Sequence, residues 1–153
     1  NGKITVTGTY SSELKEDIKN IYNYIRANEK TLLSSGHSLV KYDVTIQVST
    51  LLGTCSDKGI GAAVFVAIIS AIFGKNLKTA AGVIGNISIG GAVERTINFS
   101  DRVSVLSENG AKMVAVPMEN LTELASLPTT VLGKTDTPLY ANGQMLLQKV
   151  ILN

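Results

Sequence analysis

Cysteine, histidine, proline and tryptophan are scarce in this sequence. Its 153 residues hold one cysteine (Cys55), one histidine (His37), three prolines and no tryptophan. A single cysteine excludes a disulfide within the chain. A zinc site built from Cys and His needs about three or four ligands, and two residues cannot supply them. The lone thiol fits a reducing, cytoplasmic compartment. An excess of one charge is also lacking. Fourteen Lys and Arg against twelve Asp and Glu leave a net charge of +2. The sequence therefore carries no concentrated basic stretch of the kind that nucleic-acid binding uses. Charged residues make up 17% of the chain and hydrophobic residues 44%. That balance excludes a disordered, solvating chain, and the length gives one domain with a real core.

A membrane-spanning run is missing too. The uncharged stretch Gly59–Gly74 is 16 residues long between Lys58 and Lys75, short of the ~20 that a span needs. Its small residues suit a helix buried against a sheet. The sequence starts at Asn1 with no leader-like segment, and we read it as a piece of a longer protein.

What is present alternates between strand and helix. Ile4–Gly8 reads as a first strand. Ser11 or Ser12 caps a following helix whose Leu14, Ile18, Ile21, Tyr22 and Ile25 recur at helical spacing. Tyr42, Val44, Ile46 and Val48 alternate with polar residues, which predicts a half-buried strand over 42–48. Gly59–Gly74 is the buried helix. Val83–Ile89 reads as a strand, with Gly90-Gly91 as a turn and Ala92-Val93 as the start of its return. Phe99, Val103 and Leu106 mark a helix that stops at Asn109-Gly110. Met113–Val116 is a short buried strand, Glu119–Ala125 a short helix and Leu139–Ile151 a final helix. The irregular alternation gives an α+β or α/β class.

Few residues point to chemistry by themselves. Gly74-Lys75 has Ile69 where a P-loop needs glycine. Gly82, Gly85, Gly90 and Gly91 suit bends and a hairpin turn better than a dinucleotide loop. His37 sits in a Ser/Gly-rich loop and reads as a surface histidine. Cys55 precedes a helix start, where a thiol pKa can fall, so a Cys55–His37 pair is the functional alternative. Ser56 or Asp57 reads as a helix cap, with Ser56 as a nucleophile the competing role.

The stretch Ser56–Pro117 resembles the proteolytic domain of the Lon proteases. In that family a Pro-Ser-Ala-Gly segment opens a buried small-residue helix. Here the matching segment is Lys58-Gly59-Ile60-Gly61. The family's Gly-Glu-Ile-Thr-Leu-x-Gly-x-Val hairpin is matched by Gly85-Asn86-Ile87-Ser88-Ile89-Gly90-Gly91-Ala92-Val93. Its apolar strand with Pro and Glu-Asn is matched by Met113–Asn120. The resemblance implies the Lon proteolytic-domain fold (ribosomal protein S5 domain 2-like), with mixed sheets packed with helices, in a single domain over residues 1–153. It also assigns the chemistry. The family's serine nucleophile falls on Gly59 and its lysine base on Arg102. The supporting Thr and Glu positions fall on Ile84 and Asn86. Glycine offers no nucleophile, and arginine stays protonated because its pKa exceeds ~12.

Within the family, Ser56–Gly61 together with Gly85–Gly91 resembles the C-terminal Lon-like domain of the BrxL group, the AAA+ components of BREX phage defence. That resemblance implies a ring-forming ATPase module upstream, which would bind ATP and Mg²⁺, and a homo-oligomer formed through the ring. It implies no cofactor or metal in this domain, no membrane partner, and DNA engaged only by the full assembly. Two functional readings follow. One is a catalytically silent domain that serves ring assembly. The other is an ATP-dependent serine peptidase with a relocated nucleophile, Ser56, and Lys58 or Lys75 as base. On the first reading Arg102 faces Gly59 across the former cleft. Its expected partner is a carbonyl or a carboxylate, Asp57 or Asp101.

Overall fold

The computed structural model describes residues 2–50, 53 and 58–152. Strand β1 (Ile4–Gly8) is followed by α1 (Ser12–Ala27), a short α2 (Glu29–Leu32) and β2 (Val44–Val48). The two strands pair in parallel, Ile4 opposite Val44 and Gly8 opposite Val48. Ser11 is the cap: its Oγ accepts a hydrogen bond from the Leu14 amide at 3.1 Å. The expected apolar stripe of α1 is buried, with Tyr24 added to it. The predicted strand over 42–48 begins two residues later than expected. A 3₁₀ turn at Leu39–Lys41 ends on Tyr42, whose hydroxyl meets His37 Nδ1 at 3.3 Å.

A 3₁₀ turn at Lys58–Ile60 leads into α3 (Gly61–Phe73). Phe65 and Ile69 are fully buried and Ile68 and Ile72 nearly so. Each side chain of this size contributes roughly 1.5–3 kcal/mol when removed from water. Gly74 ends the helix at φ +62°, a left-handed stop that glycine adopts without steric cost.

Past α3, the strand expected over Val83–Ile89 is two strands, β3 (Ala81–Val83) and β4 (Asn86–Ile87). The break is at Gly85, where φ is +122° and an added β-carbon would stand 2.2 Å from the Tyr140 hydroxyl. Only glycine fits there. Strand β4 then forms an antiparallel hairpin with β5 (Val93–Glu94) around the Gly90-Gly91 turn.

Helix α4 (Phe99–Glu108), β6 (Met113–Pro117), a 3₁₀ helix over Met118–Ser126, α5 (Thr129–Leu132), β7 (Leu139–Tyr140) and α6 (Gly143–Val150) complete the described chain. The expected final helix is therefore shorter at its start. Leu139 and Tyr140 pair in parallel with Val116 and Pro117 in the three-stranded sheet β3-β6-β7. Helix begins only where Asn142 Oδ1 accepts from the Met145 amide at 2.8 Å. Sheets of both polarities are thus covered by helices. The main core lies between α1, α3 and α6, and a second lies between β6, α4 and α5. No described helix is long and apolar enough to cross a membrane.

Candidate functional site

The start of α3, the end of β3 and the first turns of α4 converge on one cleft. It has a volume of about 370 Å³ and is lined by Gly59, Ile60, Val83, Ile84, Asp101, Arg102, Val105 and Leu106. Sequence reasoning put Gly59 and Arg102 on facing sides of one cleft, and both line this cavity.

The floor of the cleft is held from both sides by one residue. The Gly85 amide donates to the Gly59 carbonyl at 3.1 Å, and the Gly85 carbonyl accepts from the Ala62 amide at 3.0 Å. The turn that carries Gly59 is therefore fixed against the entrance to the β4-β5 hairpin. Gly85 in turn sits beneath Tyr140, whose hydroxyl donates to the Ile84 carbonyl at 2.8 Å. Burial pushes that phenol well above its ordinary range.

Arg102 lies in the first turns of α4 and is half-buried. Its Nε donates to the Ile97 carbonyl at 3.1 Å. Of the partners expected from sequence, a carbonyl takes this bond. Asp101 is exposed on the same wall, and Asp57 lies outside the described residues. The segment ahead of α4 is itself pinned by Asn120. Asn120 Oδ1 accepts from the Thr96 amide and its Nδ2 donates to the Thr96 carbonyl, both at 2.9 Å, while Nδ2 also reaches Glu123 Oε1 at 3.0 Å. Arg95 pairs with the same carboxylate at 2.5 Å. The sequence placed Asn120 after the short strand but gave no sign of this clamp, because its partner is a backbone 24 residues away.

The two supporting positions are close by and apolar or amide in character. Ile84 is buried. Asn86 Nδ2 is 3.5 Å from Glu94 Oε2, and its buried Oδ1 faces Gly61 with no hydrogen-bond partner among the described residues. The alternative nucleophile Ser56 and the thiol of Cys55 lie outside the described residues, and so does the side chain of Lys58. Lys75 is not at the cleft. It follows the last turn of α3, with Nζ 5.9 Å from the Phe73 ring centre. A 13-residue helix, about 20 Å long, separates it from the Gly59 turn. His37 is at that same far end, edge-on to Phe73 at 5.0 Å, and is half-buried instead of lying on the surface. Among the described residues, no group of three or more His, Cys, Asp or Glu is placed to hold a metal ion.

The arrangement is an apolar cleft with one guanidinium at its rim. It offers shape, a cation, the exposed Asp101 carboxylate and backbone groups. On its described walls no hydroxyl stands beside a proton acceptor.

A family model for the Lon protease C-terminal proteolytic domain matches residues 1–152. The Lon-like protease BrxL of Bacillus cereus is 24% identical over 152 residues, which cover 99% of this chain and 22% of that protein. The Lon protease of Escherichia coli is 24% identical over 135 residues, covering 88% of this chain and 17% of that one. That of Haemophilus influenzae is 26% identical over 130 residues, covering 85% and 16%. The chain thus spans about a fifth of the length of the curated relatives it matches.

Proposed function

The chain belongs to the Lon protease C-terminal proteolytic domain family, and from that premise we propose that it is a catalytically silent member that serves assembly of a AAA+ ring. The observation that carries this reading is the pair on the cleft walls. Gly59 and Arg102 face one cavity, at the positions that the family resemblance gives to the serine nucleophile and the lysine base. Peptide hydrolysis by that scheme needs an oxygen to attack the carbonyl and a group to take its proton. Glycine supplies no oxygen. A guanidinium stays protonated at neutral pH. Backbone donors and binding alone leave only weak catalysis when the nucleophile and base of such a site are absent.

The BrxL-named relative supports the wider setting. On that basis the domain is part of a BREX phage-defence ATPase in the cytoplasm. ATP and Mg²⁺ would be bound by the upstream module, and DNA would be engaged by the assembled ring. The domain would contribute subunit contacts.

A fluorophosphonate probe and casein cleavage, each with and without ATP, test the silent cleft. The expected result is neither labelling nor cleavage by the wild-type chain. Robust cleavage that is lost in Ser56→Ala would overturn the reading and establish the relocated nucleophile, with Lys58 the base still to test, since Lys75 stands at the other end of α3. The assembly role is tested in the full-length protein by sedimentation with and without this domain. A ring with an unchanged number of subunits after its deletion would refute it.

A further inference from the structure

We propose that Asn109 is a self-modifying site: in the folded chain the Asn109-Gly110 step closes to a succinimide and opens to isoaspartate, which uncaps α4. This inference is independent of the silent-cleft reading and concerns the other end of α4 from Arg102. Asparagine followed by glycine is the step most prone to this reaction, because no side chain shields the glycine nitrogen from the asparagine Cγ. The chain has three such steps, at Asn1, Asn109 and Asn142. Asn1 lies outside the described residues. The other two have opposite surroundings.

Asn109 is the C-cap of α4, and Glu108, Asn109 and Gly110 are all exposed. Gly110 stands at φ +98°, and a β-carbon added there would meet nothing within 4 Å. The Gly110 amide donates to the Ser107 carbonyl at 3.1 Å and the Ala111 amide to the Leu106 carbonyl at 3.0 Å, a Schellman ending. Asn109 Nδ2 donates to the Val105 carbonyl at 2.7 Å. Ring closure needs this ending to open. It sits at a helix end that faces solvent, where opening costs least. The empty space beside Gly110 then lets its nitrogen swing to Cγ.

Asn142 is held instead. Its Oδ1 accepts from the Met145 amide at 2.8 Å. Gly143 is buried, and a β-carbon there would stand 2.9 Å from Phe65 Cζ and 3.0 Å from the Tyr24 hydroxyl. Its nitrogen cannot swing without moving the main core, to which both rings belong.

The step at Asn109 needs only water. The Gly110 nitrogen gives up its proton and attacks Cγ. The N–Cγ bond forms, the Cγ–Nδ2 bond breaks, and Nδ2 leaves as ammonia with that proton. Water then opens the imide. Opening on the Cα side gives isoaspartate, and opening at Cγ gives aspartate. Isoaspartate adds a methylene to the main chain. It also leaves a carboxylate beside Glu108 at a helix C-terminus, where negative charge is unfavourable. The donor to the Val105 carbonyl is lost. Val105 and Leu106 line the cleft, so the modified chain has a loosened cleft wall.

The test keeps the folded chain, and the chain in urea, in mildly alkaline buffer and cuts samples with trypsin. The cuts place Asn109 alone in Val103–Lys112 and Asn142 alone in Thr135–Lys149. Mass spectrometry reads the change from amide to acid, and methyl transfer by an isoaspartyl methyltransferase identifies isoaspartate. In the folded chain Val103–Lys112 should convert at least about tenfold faster than Thr135–Lys149, and in urea the two should convert at similar rates. Asn109→Gln, one methylene too long for the five-membered ring, should abolish conversion of its peptide while far-UV circular dichroism stays that of the wild type. In the converted chain the Ala111 amide should lose its protection from hydrogen exchange. The proposal is overturned if Val103–Lys112 converts no faster than Thr135–Lys149 in the folded chain, or if the same bias persists in urea. It is also overturned if the converted peptide accepts no methyl group, or if the Ala111 amide stays protected after conversion.

Discussion

Gly61 lies directly against Asn86: a β-carbon at position 61 would stand 1.8 Å from Asn86 Oδ1. The first residue of the buried helix and the first residue of the hairpin thus share one space, and glycine is what lets them share it. In an ordinary helix, alanine is better than glycine by about 1 kcal/mol. Here the sign reverses. Gly61→Ala should destabilise the chain by about 1–3 kcal/mol through overpacking. Asn86→Ala in the same chain should recover most of that loss. A double-mutant cycle by urea unfolding checks both, and additive single effects would contradict the contact.

Tyr140 predicts a pH dependence. Its phenol is buried and held well above the ordinary value of about 10. Because the folded value is raised, the stability it contributes is full below about pH 10 and is lost as the pH climbs from there toward the folded value. The urea midpoint should therefore fall between about pH 8 and about pH 11. Tyr140→Phe should shallow that fall. At the lower pH it should cost about 1–3 kcal/mol, because the Ile84 carbonyl loses its donor in a buried place.

Asn120→Ala removes both bonds to Thr96 and leaves a buried amide and carbonyl without a partner. A loss of about 2–4 kcal/mol is expected, read from the denaturant midpoint. Asn120→Asp should be nearly as damaging, since a carboxylate accepts from the Thr96 amide but cannot donate to its carbonyl.

Rebuilding the dyad gives a prediction about chemistry. Neither Gly59→Ser nor Arg102→Lys alone should produce casein cleavage, because nucleophile and base act as a unit. The double substitution should produce trace cleavage. Robust activity from Gly59→Ser alone would mean that another base faces the cleft.

Much of this was open to reading in the sequence. The period of α1, the composition of α3 and the alternation of β2 each follow from side chains that repeat on one face. The pairing of Gly59 with Arg102 was legible only through family strings. What was not legible depended on backbone meeting something distant in the chain. Val83–Ile89 looks like one strand because its apolar run is continuous, yet Tyr140 forces a glycine-only bend into the middle of it. Leu139 and Tyr140 look like helix because they precede a helical stripe, yet β6 recruits them as a strand edge. The Asn120 clamp is invisible for the same reason: an amide that grips a main chain has no partner in the residue pattern.

Gly85 joins the cleft floor to the hairpin with a donor on one side and an acceptor on the other. The amides of Gly85 and Ala62 are consequently two gauges of a single opening. When the turn at Gly59 lifts away, both bonds break together, and both protons become open to solvent in the same event. In hydrogen exchange the two should share one protection factor although 23 positions separate them in the chain. The helix start and the hairpin entrance then behave as one cooperative unit, and the shape of the cleft is no more permanent than that unit.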